Sequence, residues 1–307
     1  MPDKIKKLAN NITLRHPQTD ALIKMRDVMT PKTGPSRFMV ILPTGCGKTY
    51  TLALAPFVLN ARKVLLVTPA VTIREQVFNE LSDYYSRDGC ISKALCTNLP
   101  YPSVHRYIAN QPLPHTDVDV VICNIQALIK RGRDEDTTSL NEQARDLFST
   151  FKFDLIISDE GHHSPALSWQ VVESALLDHC PRLRSVLFTA TPARGDGQTF
   201  NLERDSFYLY HRQDAIMAKF IKYTFKVPIE VEKPKSVVQY SDPVYLSQLV
   251  VPAVKQLQDL RKACSLPLRM LVTANQISTA NAVALFINNL SIERSWGLRA
   301  AAIHGSM

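Results

Sequence analysis

At 307 residues the chain has room for one full α/β domain and part of another, and its 36 Lys and Arg against 28 Asp and Glu leave a formal charge of +8. Six cysteines, Cys46, Cys90, Cys96, Cys123, Cys180 and Cys264, show neither paired spacing nor a Cys-x-x-Cys motif, which argues for a reducing, intracellular compartment and against a zinc site. Lys4, Lys6 and Lys7 run into the polar pair Asn10-Asn11, and the apolar stretch from Thr51 to Leu59 is interrupted by Pro56 and stopped by Arg62. Neither segment suits a secretory signal or a membrane span, so a soluble protein of the cytoplasm or nucleus, with no membrane partner, is expected.

In chain order, the apolar run Arg37 to Leu42 predicts a strand and Tyr50 to Asn60 a helix, with Gly45-Cys46-Gly47-Lys48-Thr49 between them. A glycine turn that opens a helix offers backbone N–H groups and the positive end of the helix dipole to phosphate oxygens. Lys48 could then reach the β- and γ-phosphates of a nucleotide, and the Thr49 hydroxyl a Mg²⁺ ion. The strict form of this pattern has Gly where this chain has Leu42, so for this string alone a plain glycine turn stays open. Further strands are expected over Lys63 to Thr68, Ile91 to Leu95, Val118 to Cys123, Phe153 to Ser158 and Arg184 to Thr189. They alternate with helix-length segments, which predicts an α/β fold with a parallel sheet flanked by helices.

The run Phe153 to Ser158 delivers Asp159 and Glu160 at its carboxyl end, where open α/β sheets bind ligands. Adjacent carboxylates there are costly unless a cation faces them. Mg²⁺ would supply that charge, with Asp159 holding the metal and Glu160 polarising an attacking water. The plainer alternative is a solvated acidic pair capping a helix from about Pro165 to Asp178. His162 and His163 cannot share one face of a helix or strand, so they are no ligand pair. Lys130 to Thr138 is mixed in charge and poor in apolar residues, and reads as a loop insertion. Glu232 to Pro243 reads as an irregular passage, followed by a helix over Leu246 to Lys262, a strand over Arg269 to Thr273, a helix over Gln276 to Asn289 and a strand over Arg299 to His304.

Taken together, the phosphate-loop string, Asp159-Glu160-Gly161-His162 and Thr189-Ala190-Thr191-Pro192 resemble the motifs of a superfamily 2 helicase or translocase of the DExH type. More narrowly, they resemble the group of type III restriction motor subunits (ResIII) and UvrB-like proteins. The resemblance implies two RecA-like domains of phosphate-loop type, the second incomplete here: residues 1–215 as the ATP-binding domain, 216–243 as the passage and 244–307 as the start of the second. Leu14-Arg15-His16-Pro17-Gln18 resembles the element that reads adenine, placing Arg15 and Gln18 at the nucleotide. Pro43, Thr44, Gly45, Cys46, Gly47, Lys48 and Thr49 match motif I, in which a leading Pro is usual. Lys48, Asp159, Glu160 and His162 are then the catalytic set, His162 as a sensor, with Thr49 and Asp159 holding the metal. Thr189 and Thr191 would couple the γ-phosphate site to the strand-binding surface, and Ala193-Arg194-Gly195-Asp196-Gly197 continues the string of the restriction-motor group. Thr68 and Pro69 with Arg74 and Gln76 resemble motif Ia, and Asn124 with Gln126 the Thr-x-Gln element, both of which touch the nucleic-acid backbone. A strand-to-helix turn explains each of these two equally well. Val272 to Gln276 stands near motif IV, and Ile303-His304-Gly305 resembles the phrase that follows it.

The implied cofactors are ATP and Mg²⁺ and the implied partner is DNA, with RNA less favoured. The basic excess suits this, lying at the two ends: nine Lys and Arg against three Asp over residues 1–50, and twelve against six acids over 211–307. Ordinary solvated lysines explain the same count equally well. No Gln-x-x-Gly-Arg-x-x-Arg string occurs in the 307 residues, so a partner or a further segment is expected to complete the ATP site. Two functions are therefore carried forward: an ATP-hydrolysing motor module, and a non-catalytic ATP- and nucleic-acid-binding module or regulator. A small-molecule kinase is disfavoured, since it needs neither Gln18 nor the Thr189 string.

Overall fold

A computed structural model describes residues 14–31, 34–95, 102–131, 138–161, 167–191, 202–203, 205–222, 242–264, 269–274 and 276–303. Two compact units divide the chain, residues 1–223 and 224–307.

The first unit is a seven-stranded parallel sheet. Its strands are β1 (Arg37–Ile41), β2 (Val64–Thr68), β3 (Val104–Arg106), β4 (Val120–Asn124), β7 (Leu155–Asp159), β8 (Arg184–Thr189) and β9 (Phe207–Leu209), in the order β3-β4-β2-β7-β8-β1-β9. A small antiparallel hairpin, β5 (Ile129–Arg131) and β6 (Thr138–Leu140), stands apart from it. The helices are α1 (His16–Met29), α2 (Lys48–Leu59), α3 (Val71–Tyr85), α4 (Cys90–Leu95), α5 (Glu142–Thr150), α6 (Leu167–His179) and α7 (Arg212–Met217).

The central strands read as unbroken apolar runs because both faces of the sheet are covered. Strand alternation then divides each run between two cores. Leu66, Ile122 and Ile157 pack with α1, α2 and α3, whereas Leu65, Val121 and Ile156 pack with α5 and α6. Each such leucine or isoleucine side chain contributes about 1.5–3 kcal/mol relative to exposure, so the sheet is a rigid platform for the loops at its carboxyl edge.

Five of the six expected strands and the helix after the phosphate loop form within a residue or two of their expected bounds. Ile91 to Leu95 does not: it is helix α4, with Ile91 and Ala94 buried three residues apart and Ser92 Oγ donating to the Tyr85 carbonyl at 2.8 Å. Five residues, here with Ser92 and Lys93 between the apolar ones, carry no period long enough to tell a strand from a buried helical turn. The strand at that edge is β3 instead, too short and too polar to signal itself. Lys130 and Arg131 lie in β5 and Thr138 in β6, so the edges of the expected loop are a hairpin; positions 132–137 lie outside the described residues, as do positions 232–241 of the passage.

In the second unit α8 (Pro243–Cys264) and α9 (Ile277–Glu293) form as expected. Leu246, Val250 and Val254, one turn apart on α8, form a core with Val283 and Ile287 of α9. The strands expected over Arg269 to Thr273 and Arg299 to His304 are not assigned among the described residues, and His304 lies outside them. Residues 298–300 are held by side chains: Asn288 bonds both the N–H and the carbonyl of Ala300, and Ser291 does the same for Leu298. These bonds satisfy backbone groups that a neighbouring strand would otherwise take.

Candidate active site

The order β7-β8-β1 puts three carboxyl ends side by side, with Asp159 opposite Phe188 and Ile41 opposite Thr189. The phosphate-loop string follows β1. Its Gly45 and Gly47 have φ of +90° and +84°, a left-handed backbone that costs a side-chain-bearing residue roughly 1–2 kcal/mol. At Gly47 space is also lacking, since a Cβ would lie 2.3 Å from Gln18 Nε2. Helix α2 then begins at Lys48 with no side-chain cap and no acid in its first turn. Its first N–H groups and its dipole are therefore left to favour an anion. Within the loop Pro43 and Cys46 are buried and Thr44 and Gly45 exposed, with Thr49 half-buried on the first turn of α2. Burial raises the Cys46 thiol above its ordinary pKa against the opposing charge of Arg15, so the sulfur is a neutral packing group.

The loop is tied to the start of α1. Arg15 N–H donates to Gln18 Oε1 at 2.9 Å, Gln18 Nε2 donates to the Gly47 carbonyl at 3.0 Å, and Arg15 Nη1 donates to the Gly45 carbonyl. Gln18 is 4% exposed. Its carboxamide has two acceptor sites and two donors, so one of each remains beyond these bonds.

Opposite the loop, Asp159 ends β7 and Glu160 follows at φ +54°, an uncommon conformation for a non-glycine residue. Gly161 lies tight against β8, where a Cβ would sit 2.8 Å from Leu187 Cβ. The Lys48 ammonium joins the two sides, 2.6 Å from Glu160 Oε1 and 3.9 Å from Asp159 Oδ1. Burial pushes the Asp159 carboxyl above its usual range; Lys48 pulls it down and Glu160 adds to the rise. Among the described residues, two carboxylates and one ammonium make a cluster rich in oxygen donors. A hard divalent cation such as Mg²⁺ suits it, and binding would favour the charged form of Asp159. Thr189 closes β8 fully buried, its hydroxyl donating to the Thr191 carbonyl at 3.0 Å and accepting from the Thr191 N–H at 3.1 Å. The structure thus brings together Arg15, Gln18, the loop, Lys48, Asp159 and Glu160. His162 and His163, and the string from Pro192 to Gly197, lie outside the described residues.

The residues expected at nucleic acid gather at the carboxyl ends of β2 and β4. Arg74 Nη1 donates to Asn124 Oδ1 at 2.9 Å, Asn124 Nδ2 to Gln126 Oε1 at 3.1 Å, and Gln126 Nε2 to the Pro69 carbonyl at 2.9 Å. The Thr68 hydroxyl is within reach of the Ala70 and Cys123 carbonyls. Thr68, Arg74 and Asn124 are buried, at 0%, 6% and 4% exposure, while Gln126 is exposed. Gln76 stands apart on the exposed face of α3, bonded to Glu80. Sequence reasoning missed Glu75 and Arg106, which extend this network, with Glu75 accepting from Arg74 at 2.7 Å and from Arg106 at 2.6 Å. No motif spacing marks a contact between α3 and an edge strand.

Fold and site together define a phosphate-binding-loop α/β protein, with an acidic pair at the sheet edge facing the loop lysine. Residues 11–194 match the family model described as "Type III restriction enzyme, res subunit", and the chain belongs to that family. By that membership it resembles nucleic-acid-dependent ATPases of the helicase type. A curated Saccharomyces cerevisiae relative, described as "Putative ATP-dependent helicase IRC3", is 27% identical over 216 residues. The match covers 68% of this chain and 27% of the relative, so the chain spans about a quarter of that protein's length. Among solved structures, the UvsW helicase from bacteriophage T4 matches at 17% identity and a TM-score of 0.39, over 58% of this chain and 52% of that one. A hypothetical ATP-dependent RNA helicase from Sulfolobus tokodaii matches at 18% and 0.41, over 66% and 56%.

Proposed function

We propose that this chain is an ATP-driven nucleic-acid motor module that binds Mg-ATP at the Lys48 site and couples its hydrolysis to movement along DNA, with RNA the less favoured strand. One observation carries this reading: a loop lysine lies 2.6 Å from Glu160 and 3.9 Å from Asp159, at a helix N-terminus with no protein cap. Family membership supports the motor class, and the family's restriction-enzyme description favours DNA. Residues 1–215 are assigned to the ATP-binding domain, 216–243 to the passage and 244–307 to the start of a second domain.

In this reading Gly45, Gly47 and the first turn of α2 hold phosphate oxygens, and Gln18 and Arg15 fix the loop and meet the base side of the nucleotide. Lys48 exchanges its ion pair with Glu160 for the β- and γ-phosphates, and Glu160 accepts a proton from an attacking water. Asp159 and Thr49 would hold Mg²⁺, which when bound neutralises developing phosphate charge. Thr189 and Thr191, linked by their own turn at the end of β8, couple the γ-phosphate site to the strand-binding surface. Closure of two domains around ATP, followed by hydrolysis and reopening, would step the grip along a strand.

The test is phosphate release with and without DNA or RNA, beside nucleotide-binding titrations. Lys48→Ala should lose binding or turnover, and Glu160→Gln should bind ATP without turning it over. Nucleotide binding by the wild type with no single-turnover hydrolysis favours the non-catalytic module instead.

A further inference from the structure

The end of the first unit touches the phosphate loop. Helix α7 stops in a Schellman motif: Lys219 takes a left-handed φ of +59°, its N–H donates to the Ile216 carbonyl at 2.9 Å, and the Phe220 N–H donates to the Ala215 carbonyl at 2.9 Å. This reversal sets the Phe220 ring beneath the Arg15 guanidinium, whose carbon lies 5.0 Å from the ring centroid. The same guanidinium donates to the Gly45 carbonyl. Ile221 presses on the loop directly, its Cγ2 3.1 Å from the place a Cβ of Gly45 would occupy. His16 also packs against Phe220, ring centroids 5.3 Å apart, and edge-on against Tyr210 at 5.2 Å.

We propose that Phe220 is a positioning residue for nucleotide binding: it holds Arg15 on the Gly45 carbonyl and so keeps the phosphate loop in its binding shape. This rests on the reading that the loop takes ATP. A guanidinium with one hydrogen bond can swing about it, and an aromatic face beneath its plane removes that freedom. The contact joins the loop to Phe220 and Ile221, which close the described part of α7 and its turn.

The test is a double-mutant cycle on the full chain, titrated with a fluorescent ATP analogue in Mg²⁺, with thermal midpoints recorded for each variant. Phe220→Ala should weaken binding by about two- to fivefold, in line with an exposed cation–π contact, and leave saturated turnover unchanged. Phe220→Tyr should restore affinity, and Phe220→Leu, which keeps apolar volume but no ring face, should not. In the Arg15→Ala background Phe220→Ala should have no further effect. Independent, multiplying effects, or wild-type affinity in Phe220→Leu, overturn the proposal while leaving the ATP reading in place. A wild type that binds no ATP analogue overturns both.

Discussion

Two rims lie on the carboxyl edge of one sheet, and they use charge in opposite ways. At the β7-β8-β1 rim Lys48, Asp159 and Glu160 retain 14%, 12% and 29% side-chain exposure, with two carboxyl groups facing one ammonium. At the β2-β4 rim Arg74 is buried and its guanidinium is committed to Asn124, Glu75 and the Tyr107 carbonyl. The first rim keeps its charged groups partly exposed to a ligand; the second has buried its arginine in fastening the starts of α3 and of the turn after β4. An arginine in a motif position is therefore not by itself a phosphate contact, and exposure separates the two cases.

The comparison breaks most visibly at Lys48. Lys48→Ala should cut ATP turnover by about 10²-fold or more, measured as phosphate release, because a preorganised cation at the developing charge is removed. The same truncation at the other rim should act on stability. Arg74→Ala strands Asn124 Oδ1 and should cost roughly 1–3 kcal/mol in a denaturant titration, with the nucleotide affinity of the folded protein unchanged. Gly47→Ala combines a left-handed φ with a Cβ 2.3 Å from Gln18 Nε2; it should weaken nucleotide affinity about tenfold by displacing Gln18, with a stability loss of roughly 1–2 kcal/mol. Gln126→Ala, at an exposed position, should move stability by no more than about 0.5 kcal/mol. Its effect on DNA affinity at two salt concentrations shows whether that side chain leaves the Pro69 carbonyl to meet a strand.

Much of this architecture is legible in the chain. The long apolar runs at Val64, Val120, Leu155 and Arg184 announce buried parallel strands, because a doubly covered sheet removes the polar alternation. The phosphate loop is legible because its glycines, Lys48 and Thr49 are contiguous, and the acidic pair because it ends such a strand. What is not legible depends on distant partners. Gln18 meets the loop across 29 residues and Phe220 supports Arg15 across more than two hundred. The Leu14 to Gln18 motif marks Gln18 but not its bond to the Gly47 carbonyl, and Phe220 bears no local pattern. The same holds for Ile91 to Leu95, where Ser92 and the Tyr85 carbonyl decide for a helical turn, and for Arg74, whose burial is set by Asn124 and Tyr107 rather than by its own helix.

The central claim is that Glu160 serves hydrolysis and not merely the ion pair with Lys48. Steady-state phosphate release by wild type and Glu160→Gln, at saturating Mg-ATP with DNA present and ATP binding measured in parallel, tests it most directly. The account predicts wild-type-like or tighter ATP binding by Glu160→Gln with turnover lowered by about 10²-fold or more. Equal turnover by the two proteins would contradict it.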